Sequence, residues 1–129
     1  MSADRHRSAP LSADAIRRAG ELIAESRHSL APIADFPETL RPRDEAEGYA
    51  VQRVHLARFA DRIASRSGRR GYKVGLVSAQ MRAACGGTAA LGFDAPVYGG
   101  VLPDRVFSGR AEVRFDRTIS PFVEGEFAV

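Results

Sequence analysis

Tryptophan is absent from this 129-residue chain, Cys85 is its single cysteine, and Lys73 is the single lysine among 19 strongly basic residues. One cysteine cannot close an intramolecular disulfide, which excludes a small disulfide-stapled secreted scaffold. No apolar run approaches the roughly 20 residues that cross a bilayer as a helix. Met1 to Pro10 is polar and lacks the apolar segment of a secretory signal. The expected location is the cytoplasm, without a membrane partner. Strong charge of one sign is also missing. The net charge of +3 comes from the first 70 residues, and residues 71–129 are balanced. That is too diffuse for a nucleic-acid footprint, so no nucleic-acid partner is expected.

What is present describes a globular chain. A hydrophobic fraction of 44% with 27% charged residues supports a real core within one domain length. Ser12 is placed to cap a helix, with Leu11 and Ile16 spaced as a hydrophobic staple. Ile16, Ala19, Leu22 and Ile23 then recur at helical spacing, and the helix fades near His28. Pro32 and Pro37 mark a loop, because proline cannot continue a helix. A longer helix starts near Arg43 or Asp44, with Asp44, Glu45 and Glu47 at its positive end. Its buried face is expected to carry Tyr49, Ala50, Val54, Ala57 and Ala60, broadened by Leu56, Phe59 and Ile63. Ser65 to Gly71 reads as the exit, with Gly68 as a left-handed cap.

Past Gly71 glycines become frequent and helical periodicity weakens. Short apolar runs at Tyr72 to Val77, Val97 to Leu102, Ala111 to Phe115 and Phe122 to Val129 read as strands. A short helix at Ala79 to Ala84 interrupts them before Gly86-Gly87. The expected fold class is α+β, with residues 1–70 as an N-terminal helical region and residues 71–129 as the start of a β-rich domain.

Two features carry chemistry. In a composition so biased to arginine, the lone Lys73 suggests a position where a guanidinium would not serve; the alternative is a lysine left by chance in an arginine-rich composition. An ammonium is a compact point charge that shifts its pKa and trades a proton, whereas arginine stays charged. Glu124 and Glu126 flank Gly125 in an apolar run, and strand alternation with period two puts both carboxylates on one face. Paired carboxylates are the oxygen ligands a hard divalent ion such as Mg²⁺ takes. The structural alternative is a solvated strand face. His6, His28 and His55 lack ligand spacing, Cys85 reads as a small buried thiol, and Arg69-Arg70 as solvated charge. Gly86-Gly87 and Gly99-Gly100 read as turns.

The run Gly71-Tyr72-Lys73-Val74-Gly75-Leu76-Val77-Ser78, then Met81, Leu91-Gly92, Pro96, Tyr98-Gly99 and Pro121-Phe122-Val123-Glu124-Gly125-Glu126, resembles the 2-keto-4-pentenoate hydratase branch of the fumarylacetoacetate hydrolase family. Tyr49-Ala50-Val51-Gln52 resembles the same branch. The resemblance implies an incomplete mixed β-roll after the helices. It implies a divalent metal, Mg²⁺ or Mn²⁺, on Glu124 and Glu126, with Lys73 as the active-site lysine and Leu91 and Gly92 near the substrate. The implied reaction is addition of water to a small 2-oxo or 2-hydroxydienoic acid in aromatic catabolism, by a homo-oligomer in full-length form. An oxalocrotonate-type decarboxylase shares the same metal and lysine, and a non-catalytic arginine-rich binding module is the rival from another class. The aspartate common in this branch is replaced by Val97, with Asp94 close in sequence. Family members are considerably longer, so the chain reads as an amino-terminal fragment. Its third metal ligand would lie beyond Val129, and its exposed strands would favour association.

Overall fold

The computed structural model describes residues 9–62, 71–84, 95–126 and 128, except for the side chain of Arg62. Helix α1 spans Ala13–Ser29, and the Ser12 hydroxyl accepts from the Ala15 N–H at 3.1 Å, as the capping pattern requires. Leu30, at φ 58°, ends the helix in the left-handed region. A 3₁₀ turn at Glu38–Leu40 precedes helix α2, Glu45–Arg62. Among the described residues β1 (Gly71–Gly75) and β2 (Val97–Val101) form a two-stranded antiparallel sheet, with helix α3, Ala79–Ala84, between them in sequence.

The helices pack along one seam in two apolar clusters. Ala19, Leu40 and Val51 form the first, flanked by Ile16, Leu22, Ile23 and Phe36. Ala24, Phe59 and Leu102 form the second, so the residue after β2 is seated on the helix pair. Gly20 sets how closely α1 approaches α2. A Cβ at that position would lie 2.6 Å from Val54 Cβ and 2.9 Å from the His55 backbone nitrogen, closer than atoms pack.

Glu47 ties the entry of both helices together from a buried position. Its carboxylate accepts from the Leu11 N–H at 2.7 Å and the Arg43 N–H at 2.9 Å, while its own N–H donates to Asp44 Oδ1 at 2.8 Å. The sequence reading assigned Glu47 to the helix dipole alone. Glu47→Ala is therefore expected to cost about 1–3 kcal/mol in urea unfolding, since it strands backbone donors away from water. Glu47→Gln, which keeps an acceptor, should recover part of that loss.

The expected elements hold for both long helices, for β1 and β2, and for α3. The expected face of α2 needs correction. Val51, Leu56 and Phe59 are the buried apolar residues, Tyr49, Ala50, Val54 and Ala60 are half-buried, and Ala57 is exposed. With α1 crossing tightly at Gly20, Ala57 turns to solvent. Ile63 and Gly68 lie outside the described residues.

The expected strands at Ala111 to Phe115 and Phe122 to Val129 are not strands among the described residues. A strand exists only through a paired edge. At Tyr98 the outer edge of β2 meets side chains of α2, and Gly109 (φ 75°) and Ser120 (φ 45°) turn the chain shortly before each run. Apolar side chains there face solvent, with Phe122 89% and Val123 96% exposed. The architecture is compatible with an α+β class, while the described sheet is two antiparallel strands and not a mixed β-roll.

Candidate functional site

Residues alternate across β1, so Tyr72 and Lys73 project to opposite faces of the sheet. The Tyr72 face is joined to α2 through an aromatic stack. The Tyr72 and Tyr98 rings meet in a T-shaped contact at a centroid distance of 5.3 Å, and Tyr98 stacks on Tyr49 at 4.4 Å. The Tyr49 hydroxyl accepts from the Tyr98 N–H at 3.2 Å, and Gln52 Nε2 donates to the Tyr98 carbonyl at 3.0 Å. Two side chains of α2 thus satisfy both backbone groups of one β2 residue, as a neighbouring strand would. Burial pushes the Tyr49 phenol pKa upward, which keeps it a hydroxyl. A cleft of about 300 Å³ opens here, lined by Pro42, Asp44, Glu45, Tyr49, Gln52 and Tyr98 among others. Sequence reasoning placed Tyr49 on the inner face of α2 by its spacing, and found Gln52 only through the family motif. Their pairing with Tyr98 had no signal of its own.

On the other face stands Lys73, opposite Gly99 in the ladder. Its ammonium donates to Glu126 Oε1 at 2.5 Å and lies 3.4 Å from Glu124 Oε2. Residues 53 apart in sequence are therefore brought to one point. Glu124 and Glu126 share a side of the chain as expected, although the segment that carries them is not a strand. All three side chains are substantially open to solvent, so the ion pairs add little stability. The hydrogen bond to Glu126 is the main cause that raises the Lys73 pKa, and the bond to Glu124 and both carboxylate charges act in the same direction. Lys73 therefore stands as an ammonium at neutral pH.

Leu91, Gly92, Asp94 and Cys85 lie outside the described residues. Among the described residues no three His, Cys, Asp or Glu side chains cluster to hold a metal ion. The Glu124 and Glu126 pair alone still offers hard oxygen donors converging on a bound cation, here the ammonium. That donor set fits Mg²⁺ or Mn²⁺, which use one or two carboxylates and retain waters.

A second cluster was not anticipated. Arg27, from the last turn of α1, lays its guanidinium over the Phe59 ring at 4.2 Å, and Arg105 approaches the same ring at 5.7 Å. Arg27 Nη1 lies 3.0 Å from His55 Nε2. Burial first, then the Arg27 charge, lowers the His55 pKa to about 4, so the imidazole is neutral at pH 7 and accepts from Arg27. The four residues come from three segments, with His55 and Phe59 one turn apart on α2, and no local motif announces that Arg27 and Arg105 join them.

No helix among the described residues is long and apolar enough to cross a membrane. No protein-family model and no solved structure matches the chain. Among curated proteins the chain is similar to a hydratase. That relative is the TodF product hydratase of Pseudomonas putida, 30% identical over 116 residues, which cover 88% of this chain and 39% of the relative. The chain thus spans well under half the length of the curated protein it matches.

Proposed function

We propose that this chain is part of a metal-dependent hydratase, a hydro-lyase acting on a small 2-oxo or 2-hydroxydienoic acid such as 2-keto-4-pentenoate in the breakdown of aromatic compounds. The observation that carries the reading is the convergence of the Lys73 ammonium with the Glu124 and Glu126 carboxylates. The likeness to a curated hydratase supports it independently. Residues 71–129 then belong to a larger β-roll of the fumarylacetoacetate hydrolase kind, completed in a longer homo-oligomeric enzyme, and residues 1–70 are its helical region.

Glu124 and Glu126 would hold Mg²⁺ or Mn²⁺. A divalent ion there supplies Lewis-acid polarisation of a 2-oxo acid. Lys73 holds a proton at Nζ against neutral pH and delivers it, or a hydrogen bond, where negative charge develops on the substrate oxygen. Its positive charge also favours entry of an anionic substrate. Leu91 and Gly92 would lie along the substrate.

Calorimetric titration of Mg²⁺ into the full product of the reading frame tests the site. Glu124→Gln and Glu126→Gln should each weaken binding at least about tenfold, since each removes a charged oxygen donor. Unchanged affinity in both variants would remove the metal reading.

A further inference from the structure

The arginines around Phe59 form a built cleft distinct from the Lys73 face. Its volume is about 470 Å³, within the range of small-molecule sites. Arg27, Arg105 and Arg117 line it with Phe59, Leu30 and Ile119. Among the described residues no carboxylate lines the cleft. Four arginines elsewhere in the chain are paired with acids: Arg17 with Asp14 and Glu21, Arg41 with Glu38, Arg58 with Glu21, and Arg114 with Asp116. Burial and the neighbouring Arg105 charge both lower the Arg27 pKa, with no acid acting against them. Three guanidinium groups at one cleft, with no carboxylate in its lining among the described residues, make a positive field that favours an anion there.

We infer that this cleft is a binding site for a small organic carboxylate with an apolar or planar body. Guanidinium forks match a carboxylate in two-point hydrogen bonds. The buried Phe59 ring and the Leu30 and Ile119 side chains supply the apolar wall for the rest of the ligand. Neutral His55 holds the Arg27 guanidinium on the ring and adds no competing charge at pH 7. The wall also carries local backbone strain. Ser120, between Ile119 and Pro121, has φ 45°, which a residue before proline rarely adopts.

The site rests on its own residues and does not depend on the hydratase reading. Its test uses benzoate as the probe, with benzamide as the uncharged comparison and acetate as the anion without an apolar body. Titration calorimetry on the chain should give one benzoate per chain, bound at least about tenfold more tightly than either comparison. Arg105→Gln and Arg117→Gln, both at exposed positions, should each weaken benzoate about five- to tenfold. Higher salt should weaken it further. Equal affinity for benzoate and benzamide, benzoate binding indifferent to both substitutions, or no benzoate binding at all would overturn the assignment. Acetate binding as tightly as benzoate would overturn the role of the apolar wall, and with it the proposed ligand class.

Discussion

Lys73→Ala is expected to lower turnover of a 2-hydroxydienoic acid by about 10²–10⁴-fold in the full product of the reading frame, the range for loss of a positioned proton donor. The same variant should bind Mg²⁺ as well as the parent or better. The ammonium occupies the point where Glu124 and Glu126 meet, so it competes with a divalent ion for the same oxygens. Glu126→Gln should act in the opposite sense on metal, and the two variants together separate a ligand from a proton carrier. Stability gives the control, because an exposed ion pair contributes about 0–1 kcal/mol. Melting temperature should hardly move in Lys73→Ala. Kinetics by loss of dienoate absorbance, beside calorimetry on the same samples, read both arms. Retained turnover would sink the catalytic role. Parallel loss of turnover, metal binding and melting temperature would make Lys73 structural.

Phe59→Ala should be the most damaging of the substitutions considered, at about 3–5 kcal/mol. Phe59 is buried at 4% exposure and holds Ala24 and Leu102 in one cluster, so its removal opens a cavity where three segments meet. That loss is a large share of the 5–15 kcal/mol that a domain typically holds. It also withdraws the ring beneath Arg27 and Arg105. Phe59→Leu, closer in volume, should restore much of the stability but not the stacking. Urea unfolding of both variants measures the difference. A loss under about 1 kcal/mol for Phe59→Ala would mean that Leu102 is not seated on the helices through this ring.

Local chemistry made several elements readable from the amino acids alone. Ser12, three residues before the Ala15 N–H, predicts the cap that the structure shows, and apolar spacing predicts both long helices. The α3 helix falls at the residues expected. Lys73, Glu124 and Glu126 were legible because rare composition and period-two spacing are properties of the chain itself. Their meeting was not, since it depends on how a segment 53 residues away returns to β1.

The failures share a physical cause. The apolar runs at Ala111 to Phe115 and Phe122 to Val129 have strand composition, yet a strand forms only by pairing with an edge, and at Tyr98 the outer edge of β2 is met by α2 side chains instead of a third strand. Ala57 was placed inside by helical period, whereas the tight crossing at Gly20 chose which face is buried. Period, caps and composition are local, so the sequence by itself determined helix positions, where the strand-like runs lie and the candidate charged residues. Which face packs, which strand finds a partner and which distant arginines share Phe59 depend on contacts between segments, and only the tertiary structure decided them.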